Sequence, residues 1–403
     1  MSTFQYSVHP SRFESLLLSG RVFALSMLMI SPCAMSAALP TSQALDAEVA
    51  RAMSATQTRG LAVAVIDRGK VEMVRSYGAR NAAGQPLQTD TIMYAASLTK
   101  VVFAWLVMQL VDEGRLDLDR PLARYLERPL PSYANEDKYA EWPDLAGDPR
   151  WAKITARHAL NHATGFANFG FLEPDGKLRI HFDPGSRYGY SGDGIILLQF
   201  VIERGLGIDI GEALKQRLFD RLGMKDSSLI WRPAFAANLA DGWRLDDSVE
   251  PHDERSTVRA SGSMDSTITD IARFAAALVR GEGLSKRARA DMVRRDLAIT
   301  TASQFPTLQP ELPKSDRRAN LAAGLGVIVF EGPQGRGYTR GGHNDSTGNI
   351  MVCVERDQRC VVILGNDVRA EAAFPKLVAF VLGETGAPWS WLYGDLHFWS
   401  GSD

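Results

Sequence analysis

The sequence has no cluster of lysine and arginine residues, no internal repeat, and no stretch rich in proline, glycine and serine that would separate domains. Its formal net charge is −2, which argues against nucleic acids and anionic membrane surfaces as partners. No glycine-rich phosphate loop precedes a predicted helix. The composition, 45% hydrophobic and 23% charged, is that of a globular protein with a large core.

After its first forty residues, the sequence also lacks any segment suited to crossing a bilayer. Arg12 and Arg21 precede an apolar run over residues 22–30, and small residues follow as far as Ala38. This is the pattern of a secretory signal peptide. We therefore predict a signal peptide over residues 1–38, cleavage near Ala38, and a periplasmic or secreted protein. An uncleaved membrane anchor is the alternative, although the apolar run is short for a membrane span.

Cysteine is scarce as well, and the predicted mature domain, residues 39–403, contains only Cys353 and Cys360. They flank a polar turn, residues 355–358, between two apolar runs. A separation of seven places them opposite each other in a hairpin with a two- or four-residue loop. Export would allow a disulfide between them, and a buried pair of free thiols is the alternative.

Hydrophobic periodicity places predicted strands near both ends of the chain and most predicted helices between them. The predicted strands are residues 60–67, 70–77, 324–330, 349–355 and 360–365. The predicted helices are residues 42–57, 97–114, 154–162, 194–203, 210–222, 267–281 and 374–382. Residues 130–152 and 303–319 are predicted to be surface loops. This order indicates an α/β fold of the α+β type, with a sheet built from both chain ends, an inserted helical region, and a site at the seam.

The most informative stretch is Ser97, Lys100 and the long apolar run that follows them, residues 101–111, which we interpret as a buried helix. Residues three apart share a helix face, so Ser97 and Lys100 form a candidate nucleophile and base. The helix N-terminus favours negative charge near Ser97. Burial favours the neutral form of Lys100, and lowering its pKa from about 10.4 to about 7 requires roughly 4–5 kcal/mol.

A Ser-x-x-Lys motif alone is weak, because about one or two chance copies are expected in a chain of this length. Two further stretches raise its significance. Tyr190 lies in a turn-rich segment just before a predicted helix, where a phenol could pass a proton or simply pack. Residues 341–349 form a glycine-rich loop with His343 before a predicted strand, where backbone could approach a ligand closely.

We predict no metal or cofactor site. His158 and His162 lie four apart on a predicted helix, but Ala159 stands where a zinc-protease helix requires glutamate. We interpret both histidines as packing and hydrogen-bonding residues.

Taken together in this order, the three stretches resemble the serine β-lactamase and penicillin-binding-protein superfamily. The similar branch is the class C β-lactamase-related one, which includes D-alanyl-D-alanine carboxypeptidases and related esterases. The resemblance runs from about residue 44 to about residue 383. It implies a β-lactamase/transpeptidase-like fold, in which a mainly antiparallel sheet from both chain ends is flanked by terminal helices.

The resemblance also implies roles for particular residues. Ser97 matches the acylated nucleophile, Lys100 its partner, and Tyr190 the tyrosine of the second motif. His343 matches the cation or hydrogen-bond donor that opens the third motif. The implied oxyanion hole consists of the backbone amides of Ser97 and Ser346.

The sequence departs from the family pattern at two positions. Gly192 replaces the asparagine that usually holds the amide of the substrate's side chain, and Asp345 replaces a glycine of the third motif. Asn344 or Asp193 could supply the missing amide contact. Without such a contact, we expect weak β-lactam turnover beside measurable activity on short activated esters.

The predicted function is an exported serine hydrolase that acts through an acyl-enzyme on an ester or amide. Its partner would be a small molecule or peptide with an ester, amide or β-lactam carbonyl. Either Tyr190 or Lys100 would take the proton from Ser97. The alternative is a catalytically impaired family member that binds or senses a ligand. No oligomeric state is predicted.

Overall fold

The structure, a computed structural model, describes residues 38–134 and 139–401. The predicted signal peptide lies outside these residues except for Ala38, so its cleavage and the domain boundary stay predictions. The described residues form one compact unit. None of the helices within the described ranges combines the length and apolar character that a bilayer crossing requires.

The elements follow the predicted order of strands, helices and strands. The strands are β1 (Gly60–Asp67), β2 (Lys70–Gly78), β3 (Met93–Tyr94), β4 (Gly242–Trp243), β5 (Val249–Glu250), β6 (Asp265–Ser266), β7 (Leu297–Ala298), β8 (Leu321–Ala323), β9 (Ile328–Gly332), β10 (Gly335–Asn344), β11 (Thr347–Val354) and β12 (Arg359–Gly365). The helices are α1 (Ser42–Thr56), α2 (Thr99–Asp112), α3 (Ala156–Leu160), α4 (Gly192–Leu206), α5 (Ile210–Leu214), α6 (Asp220–Leu222), α7 (Ile268–Arg280), α8 (Lys286–Val293), α9 (Phe374–Leu382) and α10 (Trp389–Tyr393). A π-helical turn, Lys215–Phe219, joins α5 to α6.

Eight strands form one antiparallel sheet in the order β2-β1-β12-β11-β10-β9-β8-β7. The N-terminal strand β1 pairs directly with the last strand, β12, so strands from both ends of the chain are neighbours in the sheet. This confirms the predicted α+β fold with a sheet built from both ends.

Both faces of the sheet are covered, which explains why its central strands are apolar at nearly every position. Leu61, Val63 and Val65 of β1 pack with α1 and α9 on one face. Ala62 and Ala64 point to the other face, where α2, α4 and α7 contribute to a second core. Alternation along each strand therefore divides the apolar residues between two cores.

Helix α2 is enclosed on all sides, as its sequence predicts. Every residue from Thr99 to Leu110 is buried, Lys100 among them. The apolar side chains of α2 draw its first turn, and with it Lys100, into the protein interior.

The predicted cysteine pair forms a disulfide. Cys353 of β11 and Cys360 of β12 are direct partners in the ladder, both fully buried, and the hairpin loop between them has four residues, 355–358. This resolves the alternative of free thiols in favour of the bridge.

Two sequence predictions about local structure are wrong. Residues 130–152 are not simply a surface loop, because Trp142 and Leu145 are fully buried and Trp142 packs against Phe200 with ring centroids 5.5 Å apart. The strand predicted over 324–330 is interrupted: Gly324 turns back to bond the carbonyl of Val327, so β8 ends before it and β9 begins after it.

The longest strand, β10, was not predicted at all. Its last four residues, Gly-Gly-His-Asn, show no apolar alternation, so the sequence pattern predicts a loop there. The strand instead forms an antiparallel ladder with β11 up to the pair Asn344 and Thr347, where a two-residue turn closes the hairpin.

The disulfide generates a simple prediction. Protein lacking residues 1–38, denatured without reductant, should titrate no thiols, and two thiols should appear after reduction. Two free thiols before reduction would contradict the bridge. The Cys353→Ala/Cys360→Ala variant, which should titrate none under either condition, is the control.

Candidate active site

A cavity of about 1970 Å³ opens between the end of β10 and the inserted helical region, and Ser97 lies on its wall. Ser97 sits in a 3₁₀ turn, Ala96–Leu98, that leads directly into α2. Ala96 has a left-handed φ of 48°, which an alanine adopts only at an energetic cost. The bend thus presents Ser97 to the cavity at the start of a buried helix.

Lys100 lies one turn after Ser97, and its Nζ donates a hydrogen bond to Ser97 Oγ at 2.9 Å. It also donates to the carbonyl of Ser261. The side chain is 1% exposed, and burial lowers its pKa, with the nearby Arg340 adding to the effect. The interior therefore favours the neutral amine, the form that can accept a proton.

Tyr190 also contacts Ser97. It lies just before the N-cap residue of α4, Ser191, and its Oη donates to Ser97 Oγ at 2.8 Å. Burial alone would raise the pKa of the phenol, but Lys100 and Arg340 outweigh it and lower the pKa. Lys100 Nζ is 5.0 Å from the centroid of the Tyr190 ring.

Two site residues were missed from the sequence. Arg340 of β10 is 2% exposed, its Nε donates to the carbonyl of Gly326 at 2.8 Å, and its Cζ is 5.9 Å from the centroid of the Tyr190 ring. His162 lies 4.5 Å from that ring, centroid to centroid. Arg340 therefore supplies the buried cation beside Tyr190.

His162 lies between the guanidinium of Arg340 and the backbone of Ser191. Its Nε2 is 3.2 Å from Arg340 Nη2, and its Nδ1 accepts from the backbone amide of Ser191 at 3.2 Å. Burial, together with the charges of Arg340 and Lys100, lowers its pKa well below the ordinary value. The imidazole is therefore neutral and packs between Arg340 and the start of α4, rather than on α3 as predicted.

The end of β10 touches the turn that carries Ser97. A side chain at Gly342 would lie 2.4 Å from the carbonyl oxygen of Ala95 and 3.2 Å from the Ser97 nitrogen, so only glycine fits. Asn344 and Thr347 flank a two-residue turn, so they form a hydrogen-bonded pair of the ladder. Hydrogen-bonded and non-hydrogen-bonded pairs alternate along an antiparallel ladder, so the backbone amides of His343 and Gly341 point away from β11. Pairing with β9 stops at Thr339, which leaves these two amides at an open sheet edge beside the cavity.

The imidazole of His343 lies on the other face of β10 from Arg340, since side chains alternate along a strand. Its Nδ1 is 2.8 Å from Oε1 of the buried Glu371. Burial opposes the charged imidazole, but the hydrogen bond and charge of Glu371 outweigh it and raise the pKa of His343. His343 lines the cavity but does not occupy the buried position beside Tyr190 that Arg340 fills.

The structure does not support the oxyanion role that the sequence assigns to Ser346. Ser346 is in the two-residue turn, and its amide donates to Asn344 Oδ1 at 3.1 Å. It lines a separate cavity of about 150 Å³. At this edge of the sheet, the residue whose backbone lies against the Ser97 turn is Gly342.

Gly192 has a different environment from the one predicted. A Cβ on Gly192 would lie 2.3 Å from a ring carbon of Phe169, so this ring fills the space that an asparagine side chain would need. Of the two suggested substitutes, Asp193 accepts the amide of Gly170 at 2.6 Å, and burial raises its pKa to about 6. Asn344 accepts from Ser346, as described above.

The structure thus brings Ser97, Lys100 and Tyr190 into direct contact and adds Arg340 and His162. It places His343 and Asn344 on the cavity wall, Ser346 outside it, and Gly192 behind Phe169. Within the described residues, no three His, Cys, Asp or Glu side chains gather as a metal-binding cluster. The arrangement can deprotonate a serine hydroxyl and hold a carbonyl at a strand edge.

Comparisons with known proteins agree with this arrangement. The family model described as Beta-lactamase matches residues 45–381, so the chain belongs to the Beta-lactamase family, within the serine β-lactamase and penicillin-binding-protein superfamily. This confirms the resemblance to the superfamily, and the class C-related branch stays a prediction.

Among curated relatives, Esterase EstB of Burkholderia gladioli is 26% identical over 63% of this chain and 74% of its own length. Lovastatin esterase of Penicillium rubens is 28% identical over 39% of this chain and 45% of its own length. Penicillin-binding protein 4* of Bacillus subtilis is 26% identical over 51% of this chain and 49% of its own length. The chain thus matches about half the length of the last two relatives.

Two solved structures share the fold. The octameric penicillin-binding protein homologue from Pyrococcus abyssi superposes with a TM-score of 0.65 and 20% identity, over 85% of this chain and 78% of that one. The D-alanine carboxypeptidase AmpC from Burkholderia cenocepacia superposes with a TM-score of 0.64 and 18% identity, over 84% of this chain and 97% of that one. At these identities the similarity establishes the fold alone.

The contact between Gly192 and Phe169 predicts the effect of restoring the family's asparagine. Gly192→Asn should lower the free energy of unfolding by about 1–3 kcal/mol, because the new side chain overpacks against the ring. The matched control is Gly147→Asn, where a Cβ meets nothing within 4 Å. Adding Phe169→Ala should recover most of the loss in denaturant unfolding, and equal stability of Gly192→Asn and the parent would contradict the contact.

The pH dependence of hydrolysis tests the electrostatic role of Arg340. Proton transfer from Ser97 needs an unprotonated partner, so kcat/KM should rise with pH as Lys100 and Tyr190 lose their protons. The site lowers the pKa of both groups from their ordinary values of 10.5 and 10.0, so the rise should occur below those values. Arg340→Met removes a cation that lowers both values, so the rising limb should move to higher pH by on the order of one unit. The exposed Arg51→Met serves as control, and an unmoved limb in Arg340→Met would contradict the electrostatic role.

Proposed function

We propose that this protein is a serine hydrolase that forms an acyl-enzyme at Ser97 with an ester or amide substrate. One observation carries the proposal: Ser97 Oγ receives hydrogen bonds from both Lys100 and Tyr190, whose pKa values the site lowers. A serine held only for structure would not require a buried amine and a phenol with lowered pKa values on one hydroxyl.

In the first half of the reaction, Lys100 and Tyr190 act as a pair that takes the proton of Ser97 as its oxygen attacks the carbonyl carbon. The proton then passes to the leaving oxygen or nitrogen, and the acyl group stays on Ser97. In the second half, water gives up a proton to the same pair and attacks the acyl carbon. This returns Ser97 and releases the acid.

For the oxyanion hole, we propose the backbone amides of Ser97 and His343. The amide of His343 belongs to the open edge of β10, next to Gly342, which touches the turn of Ser97. The amide of Ser346, by contrast, is engaged by Asn344. Each such donor is typically worth about 2.7–4 kcal/mol in the transition state.

Esters are the proposed substrates in preference to β-lactams. Gly192 provides no side chain for an exocyclic amide, and an unpaired amide in a closed site costs about 1–3 kcal/mol. The names of two curated relatives, Esterase EstB and Lovastatin esterase, support this choice.

The proposal includes export to the periplasm or the outside of the cell. The predicted signal peptide motivates it, and the Cys353–Cys360 disulfide supports it, because such bridges persist mainly in oxidising compartments.

A ligand-binding or sensor protein without turnover is the second candidate, and it rests on Gly192 and Asp345. The contacts at Ser97 favour the enzyme, because a binding protein has no need of an activated nucleophile. A fluorophosphonate probe discriminates between them: an activated Ser97 labels within minutes, whereas an unactivated serine stays unlabelled.

Ser97→Ala should lose acylation and hydrolysis while keeping its fold, with turnover reduced on the order of a million-fold. Intact-mass spectrometry after incubation with a p-nitrophenyl ester, a penicillin and a D-Ala-D-Ala peptide would detect the acyl adducts. Ser256→Ala, which alters another serine on the cavity wall, is the matched control and should retain labelling and turnover. Normal ester hydrolysis by Ser97→Ala would overturn the assignment.

A further inference from the structure

An aromatic pair forms one wall of the cavity beside α4. Phe169 stacks on Phe171 with ring centroids 5.1 Å apart and an interplanar angle of 12°. Both rings line the cavity, and Phe171 is 71% exposed. The Phe169 ring occupies the space in front of Gly192, two residues after Tyr190, so this pair adjoins the proposed catalytic group.

The pair is held in place by the N-terminus of α4. The amide of Gly170, between the two phenylalanines, donates to the carboxylate of Asp193 at 2.6 Å. The amides of Gly192 and Asp193 both donate to the carbonyl of Asn168, at 2.8 and 3.0 Å. These bonds fix the backbone on both sides of Phe169, at Asn168 and Gly170, so the wall is formed before any ligand arrives.

Another aromatic residue, Phe305, packs against Tyr190. Phe305 packs edge-on against the Tyr190 ring with centroids 5.3 Å apart, and it is 45% exposed. Tyr190, as part of the proton-carrying pair, must face the leaving group. Phe305, which contacts the Tyr190 ring directly, is therefore assigned to the leaving-group side of Ser97. The Phe169–Phe171 wall is assigned to the acyl side, because the Phe169 ring fills the space at Gly192, where the family pattern has the asparagine that holds the amide of the substrate's side chain.

An exposed aromatic pair inside a cavity gains free energy when an apolar group covers it. It offers no hydrogen bond to an amide or a charged group, whose desolvation there would be uncompensated. The wall thus favours one chemical class of acyl group over another.

We propose that Phe169 and Phe171 form an acyl subsite that selects esters of apolar carboxylic acids, such as arylacetyl or medium-chain acyl esters. This inference rests on the proposed function and specifies its substrate class. The bond between the acyl carbon and the ester oxygen breaks, the bond to Ser97 Oγ forms, and the proton of Ser97 leaves with the alcohol. Water then releases the apolar acid and restores the proton to Ser97.

The test compares p-nitrophenyl phenylacetate with p-nitrophenyl acetate, which share one leaving group. The parent protein should favour the phenylacetate in kcat/KM. Phe169→Ala should reduce kcat/KM for the phenylacetate by about ten-fold or more, the usual range for lost apolar contacts in a pocket, and change the acetate value less than about two-fold. Phe169→Leu, which keeps an apolar side chain, should fall between the parent and Phe169→Ala.

Phe305→Ala is the reciprocal control. It should leave the ratio of phenylacetate to acetate unchanged and alter the ratio between aryl and ethyl esters of one acid. An unchanged acyl ratio in Phe169→Ala and Phe169→Leu, with hydrolysis intact, would overturn the subsite. Absence of any ester hydrolysis and of fluorophosphonate labelling in the parent would instead overturn the proposed function.

Discussion

The site depends on keeping a lysine side chain in the protein interior. Lys100 is 1% exposed, and the groups around its amine are the Ser97 hydroxyl, the Ser261 carbonyl and the Tyr190 ring. An ammonium ion at this position has lost its hydrating water, and the hydrogen bonds of the site replace that hydration only in part. The pKa of Lys100 is therefore lowered, and the neutral amine forms more readily than in water. The apolar surface of α2, buried over its whole circumference, is what makes this burial possible.

The same constraint explains the surroundings of Tyr190. A buried phenol ordinarily resists ionisation, but Lys100 and Arg340 lower its pKa. The neutral His162 separates Arg340 from the start of α4 without neutralising its charge. Because the sheet edge carries Arg340 and Gly342, and the helical region carries Tyr190 and His162, the site exists only where these two parts of the fold meet.

Much of this arrangement follows from local sequence patterns. The spacing of Ser97 and Lys100 before an apolar helix predicts their contact, and the separation of Cys353 and Cys360 predicts their pairing. Strand patterns at both chain ends predict the sheet, and the family model confirms the superfamily.

Other features depend on long-range contacts that no local pattern records. Arg340 and His162 are 178 positions apart, and His162 reads as an ordinary helix residue. The end of β10 has glycines instead of apolar alternation, because the strand must approach the turn of Ser97, and it was therefore interpreted as a loop. A cation followed by two glycines, Arg340-Gly341-Gly342, is the local pattern that could have drawn attention to this segment.

The position of Phe169 could not be predicted for a similar reason. The absence of a side chain at Gly192 is visible in the sequence, but the ring that fills the resulting space comes from another loop. Likewise, Trp142 is buried because it packs on Phe200 of α4. The polar and proline residues around Trp142 in the sequence predict an exposed loop instead.

The most direct test of Ser97 as the nucleophile is a crystal structure of the protein after reaction with a small fluorophosphonate. We expect a phosphorus bonded to Ser97 Oγ, with a phosphoryl oxygen within hydrogen-bonding distance of the amides of Ser97 and His343. Phosphorus bonded to another residue, or an oxygen directed away from the edge of β10, would contradict it.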